Sequence, residues 1–177
     1  MDKKSLRKQY ISIRQNASNK LEKSLIIKDK LISLLDKYDV IGVYASMDDE
    51  VSTDDLVVEL LNKHKVVALP KIEDDHITYY QISSFNELKP QGKYQIREPI
   101  TNNAFKSPLQ AIIVPGICFD MKKNRLGFGR AYFDKYLSEH KNIYKIGVCF
   151  DEQVVEQLPI DKWDIKMDIV VTDKRCF

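Results

Sequence analysis

Chemistry concentrates between Asn124 and Leu137, where two of the chain's six glycines stand beside two arginines, a Tyr132-Phe133 pair and Asp134. A glycine-containing turn lets backbone N–H groups approach an anion, and a helix that follows it adds partial positive charge at its N-terminus. Arg125 and Arg130 would supply full charges, so the stretch reads as a phosphate site. A tight turn capped by a helix fits the glycines equally well, and Gly-x-Gly alone does not separate the two.

The other candidate groups extend the first reading. Lys71 adds a cation, and Asp48, Asp49, Glu50, Asp120, Asp134 and Asp168 add carboxylates. Tyr94, Tyr132 and Phe133 add aromatic faces. Basic groups at a glycine turn suit polyphosphate. Carboxylates beside them suit Mg²⁺, which usually takes one or two carboxylates plus phosphate oxygens. Aromatics suit a flat heterocycle. The set points to a nucleotide-using enzyme acting on a ring-containing substrate. Other chemistries lack their residues. His64, His76 and His140 form no metal-spaced pair. There is no Gly-x-Ser-x-Gly elbow and no Walker A run. Cys118 reads as a buried thiol rather than a nucleophile.

These groups need elements to position them. Residues 2–16 read as a helix with Leu6, Tyr10 and Ile13 on one face and Lys3, Lys4, Arg7, Lys8 and Arg14 around it. Asn19 and Glu22 suggest a capping box for a second helix to about Leu35. Val40–Ala45 predicts a strand. Ser52 or Thr53 then caps a helix to about Asn62, and Lys65–Leu69 predicts a strand ended by Pro70. Ile77–Ile82 predicts an edge strand. Residues 83–108 read as a long, turn-rich connector and so as a place for function. Ala111–Val114 predicts the central strand, stopped by Pro115-Gly116. Tyr132, Phe133, Tyr136 and Leu137 predict a helix to about His140. Tyr144–Phe150 and Ile169–Val171 predict the last strands, with a short helical turn over 152–158 between them. Strand and helix mostly alternate, which predicts an α/β fold, three-layer α/β/α with a largely parallel central sheet, as one domain over 1–177. In such sheets ligands bind beyond the carboxyl ends of the strands. The loops at 46–50, 70–71, 115–130 and near Asp151 should therefore share a rim.

The totals are those of a soluble globular protein: 44% hydrophobic, 31% charged, net charge +2. That charge is too small to suggest a nucleic-acid partner. Three separated cysteines argue against a disulfide framework and for a reducing compartment. No apolar run approaches a membrane span, and no secretory signal opens the chain. The expectation is a cytoplasmic monomer with neither nucleic acid nor membrane as partner.

Four blocks carry a family resemblance. Val114-Pro115-Gly116-Ile117-Cys118-Phe119-Asp120 followed by Asn124 to Asp134 resembles the signature of the 5-formyltetrahydrofolate cyclo-ligase family. Lys3 to Arg7 resembles its N-terminal basic helix, Tyr44 to Val51 its substrate strand exit, and Trp163 to Asp168 its C-terminal acid block. The resemblance implies ATP- and Mg²⁺-dependent conversion of 5-formyltetrahydrofolate to 5,10-methenyltetrahydrofolate. Carried over by position, Lys3, Lys4, Ser5, Leu6 and Arg7 would line ATP. Arg125, Leu126, Gly127, Phe128, Gly129, Arg130, Ala131, Tyr132 and Phe133 would line it from the other side. Ala45, Glu50, Tyr94, Phe128 and Tyr132 would meet the folate, which is a small-molecule substrate that could carry a polyglutamate tail. Tyr132 and Arg125 would serve catalysis, and Asp134 and Asp168 would hold Mg²⁺. The family often has glycine where Ala131 stands, so a positive φ there would carry strain. Phe128, often arginine in relatives, cannot meet a phosphate by charge. A non-catalytic folate- or nucleotide-binding protein, and another α/β phosphate-ester enzyme such as a sugar-phosphate isomerase-like protein, are the alternatives.

Overall fold

The computed structural model describes residues 1–92, 95–102 and 104–177. Its centre is a six-stranded sheet in the order β11-β9-β6-β1-β2-β3. Four parallel pairings join β1 (Val40–Gly42), β2 (Val66–Glu73), β6 (Ala111–Pro115), β9 (Tyr144–Val148) and β11 (Ile169–Val171). Only β3 (His76–Ile82) runs antiparallel, at the β2 edge.

Side-chain alternation along the strands explains the layering. On β6, Ala111 and Ile113 join one core, while Ile112 and Val114 join another. The first core is covered by α2 (Lys20–Leu35) through Ile27, Leu31 and Leu35, and by α3 (Asp54–Asn62) through Leu56, Val57 and Leu60. The second is covered by α4 (Tyr132–Glu139) through Leu137, with Leu109, Phe119 and Met167. The architecture is therefore the expected three-layer α/β/α fold with a largely parallel sheet. A smaller sheet, β10-β7-β8, comprises Val154–Val155, Cys118–Asp120 and Arg125–Leu126. α1 (Lys3–Gln15) lies against it: Leu6 is buried with Cys118, Leu126, Val155 and Leu158.

Several local expectations are corrected. β1 ends at Gly42 rather than Ala45. β2 does not stop at Pro70 but continues to Glu73. It pairs with β1 only through Ala68, so from Leu69 that side is an edge, where proline is tolerated. The connector over 83–108 contains a hairpin, β4 (Leu88–Gln91) with β5 (Ile96–Pro99). The capping box of α2 is absent, because Asn19 is left-handed at φ 53° and its side chain caps nothing. Thr53 sits at the N-cap of α3, yet its hydroxyl donates to the Tyr44 carbonyl at 2.7 Å instead. The turn expected over 152–158 is a single 3-10 turn, Asp151–Gln153, followed by β10.

Candidate functional site

The loop between β7 and β8 is organised by a carboxylate placed by sequence among the rim acids. Asp120 is fully buried and accepts from the Lys122 and Asn124 backbone N–H groups, from the Asn124 side chain and from Leu158 N–H. Its role is to fold the turn, not to meet a ligand. That turn delivers Arg125 into a nearly closed position. Arg125 Nη2 donates to Asp134 Oδ2 at 2.7 Å and Nη1 to the Pro115 carbonyl at 3.2 Å, while its guanidinium lies 5.5 Å from the Phe133 ring centroid. Its Nε is buried with no partner. Burial pulls the Arg125 pKa down, and the neighbouring Asp134 and Asp164 carboxylates oppose that shift.

The glycines above Arg125 fit their places by size and by conformation. A Cβ at Gly127 would stand 2.7 Å from Arg125 Nη1. Gly129 has φ +96°, and a Cβ there would meet the Arg7 guanidinium at 3.3 Å. Arg7 reaches the loop from α1 and donates from Nε to the Gly127 carbonyl at 2.8 Å. One turn earlier, Lys3 Nζ is shared by Asp164 at 2.5 Å and Asp161 at 2.7 Å. The structure thus brings Arg7 to the Arg125 and Gly127–Gly129 segment, while Lys3 pairs with the acids at 161 and 164.

Other ATP-lining expectations divide. Lys4, Ser5, Phe128, Gly129, Arg130 and Ala131 are exposed. Leu6 and Leu126 are corrected: both side chains are core, so only their backbone could face a ligand. Ala131 has φ +57°, the strained left-handed backbone that a non-glycine residue resists.

Tyr132 opens α4 and its hydroxyl donates to Asp75 Oδ1 at 3.1 Å. Asp75 belongs to the β2–β3 turn, whose Asp74 and Asp75 both take positive φ. Glu50 and Ala45 are buried at the exit of β1. Glu50 Oε2 accepts from Met47 N–H at 3.0 Å, and Oε1 accepts from Arg14 at 3.3 Å. Burial pushes the Glu50 pKa up, while Met47 N–H and Arg14 hold it back. Tyr94 lies outside the described residues. Near it, Arg97 of β5 grips Asp54 at 2.6 Å and the Ser46 carbonyl at 3.3 Å, tying the hairpin to the β1 exit loop. Lys71 does not join the glycine loop; it lies over the Tyr80 ring with Glu73.

The two acids expected to share a metal have different surroundings. Asp134 accepts from Arg125 and from Ile165 N–H. Asp168 precedes β11 at the amino end of the sheet, where Lys145 engages it by backbone N–H at 2.7 Å and by Nζ at 2.8 Å. Asp164 is the acid that lies near Arg125 and hence near Asp134. Among the described residues no group of three or more His, Cys, Asp or Glu is arranged to hold a metal. Sequence reasoning does not single out Asp161 and Asp164, and it sets Arg14 around the apolar face of the first helix, whereas Arg14 is buried. Spacing held the signal: Lys3, Arg7 and Arg14 share one helix face. Cys118 is fully buried, as expected, and burial pushes its thiol up to about 12.

This geometry is an α/β fold in which a basic N-terminal helix packs against a glycine loop. The model of the 5-formyltetrahydrofolate cyclo-ligase family matches residues 1–173. The 5-formyltetrahydrofolate cyclo-ligase of Saccharomyces cerevisiae is 31% identical over 156 residues, covering 74% of each chain. The solved 5,10-methenyltetrahydrofolate synthetase of Aquifex aeolicus is 35% identical with a TM-score of 0.85, over 99% of this chain and 92% of that one. The Mycoplasma pneumoniae synthetase structure is 26% identical with a TM-score of 0.78, over 98% and 99%. The chain belongs to the 5-formyltetrahydrofolate cyclo-ligase family.

Proposed function

We propose that this enzyme cyclises 5-formyltetrahydrofolate to 5,10-methenyltetrahydrofolate at the expense of ATP, releasing ADP and phosphate. One observation supports the ATP half most directly: Arg7 of α1 and the buried Arg125 both stand against the Gly127–Gly129 segment. A formyl oxygen is a poor leaving group, and phosphorylation makes it a good one. The formyl oxygen attacks the γ-phosphorus and ADP departs with the bridging oxygen. Nitrogen-10 then attacks the formyl carbon, loses its proton, and the carbon–oxygen bond breaks to release phosphate.

The protein's task is placement and charge screening. Arg125 and the glycine-loop N–H groups would face the polyphosphate, with Lys3 and Arg7 closing over it. Glu50 would anchor the folate, and the Tyr132 hydroxyl would meet the formyl end. Mg²⁺, which would screen the phosphate oxygens, fits Asp134 with Asp164 better than with Asp168, since Ile165 N–H ties that segment to Asp134 while Asp168 stands at the amino end of the sheet, just before β11. Both candidate carboxylates have cationic partners that a metal–polyphosphate pair could replace. Buried, unpaired Cys118 and Cys149 fit a reducing cytoplasm. No helix among the described residues is long and apolar enough to cross a membrane.

The test is incubation of pure protein with 5-formyltetrahydrofolate, ATP and Mg²⁺. The expected result is an ATP-dependent rise of methenyl absorbance in the near ultraviolet. Binding of both ligands without turnover would instead assign a non-catalytic binding protein.

A further inference from the structure

We propose that Arg14 is a positioning residue that fixes Glu50 for the substrate and ties it to the glycine loop. The inference rests on the proposed function, which places Glu50 at the folate. Arg14 is 2% exposed and sits two helical turns beyond Arg7 on α1. Nη1 donates to Glu50 Oε1 at 3.3 Å, and Nη2 and Nε donate to Asp49 Oδ2 at 2.8 and 3.1 Å. Its Cζ also lies 5.3 Å from the centroid of the Phe128 ring, in cation–π range. A single guanidinium therefore touches the helix expected to meet phosphate, the carboxylate expected to meet folate, and the residue between the two loop glycines. Among the described residues, Glu50 Oε1 and Oε2 each receive one hydrogen bond. Carboxylate oxygens accept two, so both retain capacity for a ligand N–H.

Charge explains why the position needs arginine. Glu50 is 8% exposed, and burial disfavours its ionised form. The groups facing it are Arg14 from α1, Asp49 and the Met47 N–H from its own loop, and Tyr44 at the exit of β1. Asp49 is a like charge, and the Tyr44 phenol is held neutral while donating to the Val51 carbonyl. Arg14 is the cation of the set. Lysine would keep the charge but not the fork that spans Glu50 and Asp49.

The experiment measures folate and ATP KM as a function of pH for wild type, Arg14→Met, Arg14→Lys, Glu50→Gln and the Arg14→Met/Glu50→Gln double variant, because burial disfavours ionised Glu50 and Arg14 favours it. Glu50→Gln is expected to raise folate KM about tenfold. Arg14→Met should match it at neutral pH with ATP KM nearly unchanged, and its folate KM should fall as pH rises and Glu50 ionises. Arg14→Lys should recover part of the loss. The double variant, which removes both charges and so protects the fold, should equal Glu50→Gln alone, because Arg14 acts through Glu50. Multiplying losses, a wild-type pH profile in Arg14→Met, or equal rises in folate and ATP KM would overturn the proposal. A wild type that cyclises nothing, or a Glu50→Gln enzyme with unchanged folate KM, would instead overturn the functional assignment beneath it.

Discussion

The two sides of the site are built on different physics. On the proposed phosphate side three cations already have protein partners: Lys3 holds Asp161 and Asp164, Arg125 holds Asp134, and Arg7 holds the Gly127 carbonyl, while Arg130 stands exposed. On the proposed substrate side Glu50 is set by burial, the Met47 N–H and the Arg14 guanidinium, and the Tyr132 hydroxyl reaches an exposed turn acid. The difference teaches how each ligand would be admitted. Polyphosphate would exchange existing ion pairs for new ones, so little charge is ever stranded. The folate would enter a place whose donors and acceptors are mostly fixed. Paired charges on the first side also explain why cations so close together do not repel the chain apart.

The largest expected effect comes from breaking the phosphate side at its buried pair. Arg125→Met strands Asp134, whose side chain is 16% exposed, and removes the cation beneath Gly127. Loss of one partner of a buried pair costs about 3–5 kcal/mol of stability. Activity measured below the melting transition should show kcat/KM for ATP lowered about 100-fold, or about 2.7 kcal/mol. Folate KM should move much less. Equal movement of both constants would erase the distinction between the sides. Lys3→Gln is a milder cut in the same network. Its pairs with Asp161 and Asp164 are partly solvated, so denaturant unfolding should show a change below about 1 kcal/mol. ATP KM should rise several-fold, because a phosphate contact is lost while the fold is kept. A large stability loss with unchanged ATP KM would make Lys3 a structural clasp only.

The same contrast shows what was legible in the sequence. Apolar runs such as Ala111–Val114 announce buried strands wherever they pair, and they led to the correct layers. The edge strand at 77–82 is also legible, although its antiparallel direction is not. Pro70 misled because a proline stops a strand only where a neighbour needs its N–H, and that need depends on where β1 ends. The β4–β5 hairpin was hidden because Pro90, Gly92 and Pro99 read as loop when their cross-strand partners are unknown. Within the site, the glycine loop and basic helix were visible as local motifs. Arg14, Asp161 and Asp164 were not, because their roles come from contacts with residues distant in sequence. Arg14 looks like surface in a helical wheel and becomes core only when the β1 exit loop brings Glu50 and Asp49 over it. Asp134 is legible as a candidate, whereas spacing along the acid block does not single out Asp164, whose neighbour Ile165 donates its N–H to Asp134.

The seam between the two sides gives the smallest and sharpest test. Ala131 joins Arg130 to Tyr132 and takes φ +57°, ψ 17° as the residue that opens α4. An L-residue with a Cβ loses roughly 1–2 kcal/mol there, while glycine does not. Glycine also gains freedom in the unfolded chain, which offsets about 0.4–1 kcal/mol. Ala131→Gly should therefore stabilise the protein by about 0.5–1 kcal/mol, a rise in Tm of roughly 1–4 °C for a chain of this size. Ala131→Val should do the opposite, because a β-branched residue tolerates the left-handed region least. Calorimetry on the two variants checks the sign. If the glycine variant is no more stable, the backbone strain is absent and Tyr132 is placed by packing alone. If it is more stable but turns over more slowly, the strained residue is holding Tyr132 at the angle the chemistry uses, and the two sides meet through it.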